Sequence, residues 1–146
     1  MTRLLVLDFD GVCTLSRAEL VAAGIEPGDL AASARTSALE MVGVAQRAGV
    51  RVMVLSNEVD RAWTDRVSIL AQVDEIVACS DNGIFKPDRR AFQRCMLLAR
   101  TDPDQTCVVD DGPDNVAVAR SLGTTAVLFD PTENDPWVRV REWLTS

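Results

Sequence analysis

The chain has 146 residues, 47% apolar and 25% charged, a balance that is typical of one globular domain and excludes a disordered or fibrous protein. Its formal net charge of -7 disfavours nucleic acid and anionic membranes as general partners, because either would be repelled. The sequence contains no histidine, so histidine-based triads and histidine metal sites are excluded and carboxylates must carry any acid–base chemistry.

Short apolar runs alternate with helical patterns along the chain. Near-continuous apolar runs are typical of strands in a parallel sheet that is covered on both faces. The alternation predicts an α/β fold, with a three-layer, doubly wound (Rossmann-like) parallel sheet of about five strands. We predict strands at Leu4–Leu7, Val50–Leu55, Glu75–Ala78, Thr106–Val109 and Thr124–Phe129. Helices are predicted at Ser33–Ala48, Asp60–Leu70, Pro87–Arg100, Pro113–Leu122 and Pro136–Leu144.

Several features indicate where the protein works and how it is organised. The apolar run Leu4–Leu7 is far shorter than the about 20 residues that span a bilayer, and no signal-peptide pattern follows it, so a cytoplasmic location is expected. No linker, repeat or low-complexity tract divides the chain, which predicts one domain over residues 1–146. The cysteines are interpreted as buried free thiols in a reducing compartment: Cys13, Cys79, Cys95 and Cys107.

The first predicted strand runs directly into Asp8-Phe9-Asp10-Gly11, which places two carboxylates at its carboxyl end. A glycine-permitted bend beyond them can turn the two side chains in different directions, so that each serves a phosphate differently. The alternative is that both acids merely cap a turn.

Two further clusters are weaker when taken alone. Ser56 and Asn57 follow the second strand and can hold phosphoryl oxygens, although an ordinary turn or helix cap explains them equally well. Lys86 is the only lysine of the chain and stands before a predicted helix, where a cation and the free helix amides would both face an anion. A solvated surface lysine is the alternative.

The fourth strand ends in a second acidic pair, Asp110 and Asp111. Carboxylates that converge from two strand ends repel one another unless a divalent cation lies between them, and hard oxygen ligands suit magnesium. One of these acids could instead cap the helix that begins near Pro113, but capping does not explain both.

These clusters, in this order, resemble the signature motifs of the haloacid dehalogenase-like (HAD) superfamily over almost the whole chain. The resemblance implies that Asp8 is a nucleophile that forms an aspartyl-phosphate and that Asp10 is the general acid and then the general base. It implies that Lys86 completes the catalytic set and, with Ser56 and Asn57, binds phosphate. The implied Mg²⁺ ligands are Asp8, the main-chain carbonyl of Asp10, Asp110 and Asp111.

The resemblance therefore predicts a magnesium-dependent phosphatase, and Asp10 disfavours a dehalogenase, which needs no acid to protonate a leaving alkoxide. The chain leaves no room for a substantial cap domain, so Leu15–Leu30 forms at most a small flap and the site should be open. An open site suits a large or macromolecular phosphorylated substrate, or a homo-oligomer whose neighbour closes it. The alternatives are a binding or regulatory module that turns over poorly and a domain that is active only within a complex.

Overall fold

A five-stranded parallel sheet forms the centre of the protein. A computed structural model describes residues 2–65 and 67–146, without the side chains of residues 61 and 65. The strand order is β3-β2-β1-β4-β5, so the first strand lies at the centre between β2 and β4, as in a doubly wound fold. The strands are β1 (Leu4–Leu7), β2 (Arg51–Ser56), β3 (Glu75–Ala78), β4 (Thr106–Asp110) and β5 (Thr125–Leu128). Each lies within one residue of its predicted bounds.

Helices cover both faces of the sheet, which confirms the predicted three-layer architecture. The α-helices are α1 (Arg17–Ala23), α2 (Thr36–Arg47), α3 (Ser68–Gln72), α4 (Arg89–Ala99), α5 (Pro113–Ser121) and α6 (Val138–Leu144). Because successive strand residues point to opposite faces, Leu5 and Leu7 pack with α2, α3 and α6, whereas Leu4 and Val6 pack with α4 and α5. Apolar side chains on both faces of the strands therefore explain the near-continuous apolar runs.

Trp137 and Trp143 belong to the first of these two cores and are 3% and 7% exposed. Both therefore anchor the C-terminal part of the chain in this core. All four cysteines are buried free thiols, also as predicted. Among the described residues, no helix has the length and apolar character needed to cross a bilayer.

Four predicted helices begin later than predicted or are interrupted, and one helix was not predicted. Those predicted from Ser33 and Pro136 begin at Thr36 and Val138. Residues Asp60–Leu70 do not form one helix: a 3-10 turn at Arg61–Asp65 is followed by α3, and Val67 between them has an extended backbone. The β-branched Val67 is completely buried, so its burial competes with helical continuity. Residue 66 lies outside the described part of the chain.

The segment of residues 15–33 includes Leu15–Leu30, which was predicted to form at most a small flap, and it contains the unpredicted helix α1. Ser16 caps α1 by accepting a hydrogen bond from the backbone N–H of Glu19, while the Glu19 side chain accepts one from the backbone of Ser16. This reciprocal capping is written in the sequence as a serine followed three residues later by a glutamate. Gly24 ends the helix with a left-handed backbone, φ +67°.

The helix predicted to begin at Pro87 begins instead at Arg89, and its first turn is capped by the Asp88 carboxylate, which accepts a hydrogen bond from the N–H of Arg90. Lys86 therefore does not stand at the first turn of α4. The expectation that free helix amides would face an anion beside Lys86 is overturned, because an aspartate already occupies that position.

Candidate active site

The carboxyl ends of β1, β2 and β4 bring the predicted residues to one edge of the sheet. Leu7 is in register with Val54 and Val109, so the residues that follow these three strands emerge side by side. Order in the sheet reverses at this point, which is where ligands bind in open α/β folds.

The loop after β1 separates the two aspartates of the first motif. Asp8 is half-buried and its carboxylate accepts a hydrogen bond from the N–H of Phe9, 2.9 Å away. Asp10 is exposed, and Gly11 beyond it has φ +84°, a left-handed backbone that glycine adopts without steric cost. The predicted glycine bend thus turns the two carboxyl groups into different surroundings.

Lys86 lies between the carboxylates of two strand ends. Its Nζ is 2.8 Å from Asp8 Oδ1 and 2.7 Å from Asp110 Oδ2, and only 3% of its side chain is exposed. The solvated-lysine alternative is therefore excluded. A buried lysine in contact with two carboxylates indicates a site that binds charged groups.

The two oxygens of Asp110 have different partners. Oδ2 receives Lys86 Nζ, whereas Oδ1 accepts hydrogen bonds from the backbone N–H of Gly112 and from Asn115 Nδ2, at 2.9 and 3.1 Å. Asp110 therefore does hold the turn before α5, as the capping alternative suggested, while its second oxygen remains directed to the site. Asn115 fixes the orientation of the carboxylate.

Three carboxylates converge closely enough to hold one metal ion. One oxygen each from Asp8, Asp110 and Asp111 lie within 4.8 Å of one another. Gly11 makes this possible, because a Cβ at residue 11 would overlap the Asp111 carboxylate. Among the described residues, the carboxylate of Asp10 is not part of this group.

The charges of these groups fit a divalent cation. Lys86 neutralises one of the three carboxylates, so two negative charges remain close together, with Asp110 buried, Asp8 half-buried and Asp111 exposed. At an effective dielectric constant of about 20, two carboxylates at such a separation repel by about 3–4 kcal/mol. Hard oxygen ligands with this excess of charge suit Mg²⁺.

Ser56 and Asn57 line the same site but already have partners. Ser56 Oγ accepts a hydrogen bond from the N–H of Glu58, 3.3 Å away, as in an ordinary turn. The Asn57 carboxamide binds the backbone of Lys86 twice, at 2.9 Å to its N–H and 3.2 Å to its carbonyl. Asn57 therefore holds the loop that carries Lys86.

The surroundings shift the pKa values of three site residues. Burial raises the pKa of Asp8, which Lys86 opposes and Asp110 reinforces. Burial also raises the pKa of Asp10, and the nearby carboxylates of Glu58 and Asp111 add to this effect. For Lys86, burial alone would lower the pKa, but Asp8 and Asp110 together raise it, so the lysine stays cationic.

Arg35 supports the loop after Asp10 from beneath. Its buried guanidinium donates to the backbone carbonyls of Gly11, Val12 and Thr14 at 3.0–3.2 Å. The same guanidinium forms a bidentate ion pair with Glu19 of α1, with N–O distances of 2.6 and 3.0 Å. One arginine thus joins the Asp10 loop to the segment of residues 15–33.

Two cavities meet at the site. The smaller one, about 290 Å³, is the polar cavity around Asp8, Ser56, Asn57 and Lys86. The larger one, about 720 Å³, lies beneath the segment of residues 15–33. Asp10 and Asp111 line both cavities, so the two adjoin at these residues.

Sequence reasoning missed three residues of this neighbourhood: Glu58, Asn115 and Arg35. Glu58 and Asn115 lie within a few residues of the predicted motifs. Their closeness to a strand end, together with their polar side chains, could have indicated that they belong to the site. No pattern in the sequence could have identified Arg35, because its partners lie 16 to 24 residues earlier in the chain.

Comparison with known proteins gives one family. A family model described as haloacid dehalogenase-like hydrolase matches residues 22–123. The match begins after the Asp8–Asp10 loop. The assignment of Asp8 and Asp10 as the first motif is therefore supported by the sequence and the geometry, and not by this match.

The individual proteins that match the chain are either low in sequence identity or similar over only part of it. Phosphoglycolate phosphatase of Rhodospirillum rubrum is 26% identical over 126 residues, which are 84% of this chain and 52% of the phosphatase. Mouse acyl-CoA dehydrogenase family member 10 is 37% identical over 62 residues, 42% of this chain and 6% of the mouse protein. The chain thus spans about half the length of the first protein and a small part of the second.

Among solved structures, a HAD family enzyme of Bacteroides thetaiotaomicron in complex with magnesium and inorganic phosphate is similar over its full length. The two chains are 18% identical, the alignment covers 96% of this chain and 99% of the other, and the TM-score is 0.69. At this identity the similarity establishes the fold.

Proposed function

Because this chain belongs to the haloacid dehalogenase-like hydrolase family, we propose that it is a magnesium-dependent phosphatase that cleaves a phosphomonoester through an aspartyl-phosphate on Asp8. The observation that carries the proposal is the arrangement of Asp8, Lys86 and Asp110, whose charged atoms are in contact at the edge of the sheet. We further propose that residues 1–146 form one catalytic domain, with Leu15–Leu30 as a small flap.

The reaction has two steps in which Asp8 and Asp10 alternate. In the first, an Asp8 carboxylate oxygen attacks phosphorus, the bond from phosphorus to the leaving oxygen breaks, and Asp10 donates its proton to that oxygen. In the second, Asp10 removes a proton from water, the water oxygen attacks phosphorus, and the bond to Asp8 breaks. Inorganic phosphate leaves and both carboxyl groups return to their starting states.

Lys86, Ser56 and Asn57 would bind the phosphoryl oxygens. Lys86 supplies a fixed positive charge, Ser56 a hydroxyl, and Asn57 its main-chain N–H, since its carboxamide holds the backbone of Lys86. Fixed donors of this kind stabilise charge that develops on the phosphoryl group during transfer. Truncation of one such donor costs about 10²–10³ in turnover.

The carboxylates of Asp8, Asp110 and Asp111, with the main-chain carbonyl of Asp10, would hold Mg²⁺. The bound ion would offset the repulsion between an anionic nucleophile and an anionic phosphate. The fit rests on the excess negative charge and the oxygen-only ligand set described above.

Hydrolysis of 4-nitrophenyl phosphate by purified protein, with and without Mg²⁺, tests the proposal. We expect Asp8→Asn to lower turnover by about a thousandfold or more, and a chelator to abolish it. Asp114→Asn is the matched control, because it makes the same chemical change at an exposed aspartate of α5. Equal activity of wild-type protein and Asp8→Asn would refute the mechanism.

Two controls separate the alternatives. Wild-type protein that binds Mg²⁺ in calorimetry but hydrolyses no phosphomonoester would favour a binding or regulatory module. Release of chloride from 2-chloropropionate would favour a dehalogenase, in which the acid at residue 10 has no role.

A further inference from the structure

Apart from Asp10 and Asp111, the residues that line the larger cavity beneath the segment of residues 15–33 have no proposed role in phosphate binding or metal binding. Its volume of about 720 Å³ lies within the about 300–1,000 Å³ that is usual for sites of drug-sized ligands. It adjoins the polar cavity at Asp10 and Asp111, which line both. Asp10 is the proposed proton donor to the leaving oxygen, so the group attached to that oxygen would enter the larger cavity.

Most of the surface that lines this cavity is apolar. Phe9 and Trp63 lie side by side with ring centroids 5.9 Å apart, and Leu15, Leu20 and Leu30 line the cavity from the segment of residues 15–33. Neighbouring rings of this kind provide a flat, apolar surface for an aromatic or aliphatic group.

The hydroxyl groups of the lining already bind the backbone. Thr14 Oγ1 accepts from the N–H of Gly11, Ser16 Oγ accepts from the N–H of Glu19, and Ser33 Oγ donates to the carbonyl of Leu30. These hydrogen bonds stabilise the loop and the segment that surround the cavity. The three hydroxyl groups therefore have less hydrogen-bonding capacity left for a polar ligand.

The charges of the lining disfavour an anionic ligand. Asp10 and Asp111 line both cavities, and among the lining residues whose side chains the structure describes, exposed Arg17 is the one cation. A negatively charged leaving group would lie beside Asp111, and beside an ionised Asp10 once that residue has donated its proton, whereas an uncharged apolar group would gain contact area without that repulsion.

We infer that the larger cavity binds the leaving group of the substrate and selects phosphomonoesters of uncharged, apolar alcohols with an aryl or long alkyl group. The inference rests on the proposed phosphatase function. It assigns substrate selection to the segment of residues 15–33, in a protein without a large cap domain.

Three phosphomonoesters test this selection: propyl phosphate, 3-phenylpropyl phosphate and 2-phosphoglycolate. The first two release primary alcohols of similar acidity, so a difference between them reports binding of the phenyl group and not leaving-group chemistry. We expect kcat/KM to be at least tenfold higher for 3-phenylpropyl phosphate than for either of the others.

Leu15→Asn makes the cavity polar at nearly constant side-chain size, and we expect it to reduce this preference at least threefold. Leu97→Asn is the matched control, because Leu97 lies on α4 away from the cavity and is 81% exposed. We expect the control to retain the wild-type preference. Equal preference in Leu15→Asn and wild type would overturn the assignment of the cavity.

Failure of the inference can be distinguished from failure of the proposed function. Turnover of all three esters without preference, or a preference for 2-phosphoglycolate, would overturn the inference and leave the phosphatase function intact. Calorimetric titration with propylphosphonate and 3-phenylpropylphosphonate, which cannot be hydrolysed, examines the cavity without turnover. Equal dissociation constants for the two phosphonates would overturn the inference even if no ester is hydrolysed.

Discussion

Replacement of Glu19 by glutamine should destabilise the protein at neutral pH. It should also reduce the loss of folding stability that occurs as the pH falls into the acid range. The bidentate ion pair with buried Arg35 lowers the pKa of Glu19 from 4.5 to about 2, chiefly through the hydrogen bonds between the two side chains. In a fully insulated site this change would correspond to about 3 kcal/mol. Because 29% of the Glu19 side chain is exposed, screening reduces the expected contribution to about 1–2 kcal/mol.

The sign of the pH dependence follows from the lowered pKa. The stabilisation is complete above the unfolded-state pKa of about 4.5 and is lost as the pH falls through that value toward 2. Glutamine keeps the size of the side chain and an oxygen that can accept the hydrogen bond from Ser16, so the substitution removes mainly the charge.

Urea unfolding of both proteins over about pH 3 to 7 measures the effect. We expect the difference in unfolding free energy to be about 1–2 kcal/mol at pH 7 and to fall to about half of that value near pH 3, because the folded-state pKa of Glu19 is about 2. Glu26→Gln, at an exposed position of the same segment, should change stability by less than about 0.5 kcal/mol. A difference that stays constant with pH would refute the role assigned to the Glu19 charge.

Other predictions concern the metal site and the thiols. Gly11→Ala should cost about 1–2 kcal/mol of stability and weaken Mg²⁺ binding at least tenfold in calorimetry, because φ is +84° and the added Cβ overlaps Asp111. Gly28→Ala, where an added Cβ meets no atom within 4 Å, is its control, and equal affinities would contradict the argument. Asn115→Ala should weaken Mg²⁺ binding about 10- to 100-fold by releasing Asp110, whereas Asn134→Ala at an exposed turn should not. Native protein should show no fast-reacting thiol toward a disulfide reagent and four after denaturation, because burial raises the pKa of Cys95 and Cys107 to about 12 and all four cysteines are buried. Rapid labelling of native protein would exclude this interpretation.

The strands and the site clusters were predictable because they depend on local composition. The run Leu4–Leu7 ends at Asp8, and this change from apolar to acidic marks both the end of β1 and the start of the site. Parallel strands then bring such ends to one edge of the sheet, so the proximity of Asp8 and Asp110 follows from the fold class.

The connections between these clusters were not predictable in the same way. The carboxamide of Asn57 binds the backbone of Lys86 across 29 residues, and Arg35 binds carbonyls up to 24 residues away. Both depend on how loops approach one another after the sheet forms, and neither leaves a periodic pattern. The cavity that we assign to the leaving group is likewise formed by packing of the segment of residues 15–33 over Phe9 and Trp63.

The central position of β1 affects when the site can form during folding. Leu4 pairs with Arg51 on one side and with Thr106 on the other, so β1 is enclosed only after the chain has been synthesised past β4. Contacts this far apart in sequence form slowly, because long loops must close first. A nascent chain that ends before β4 would carry Asp8 without Asp110 or Asp111 beside it. Any hydrolase activity should therefore arise late on the ribosome, with the docking of β4.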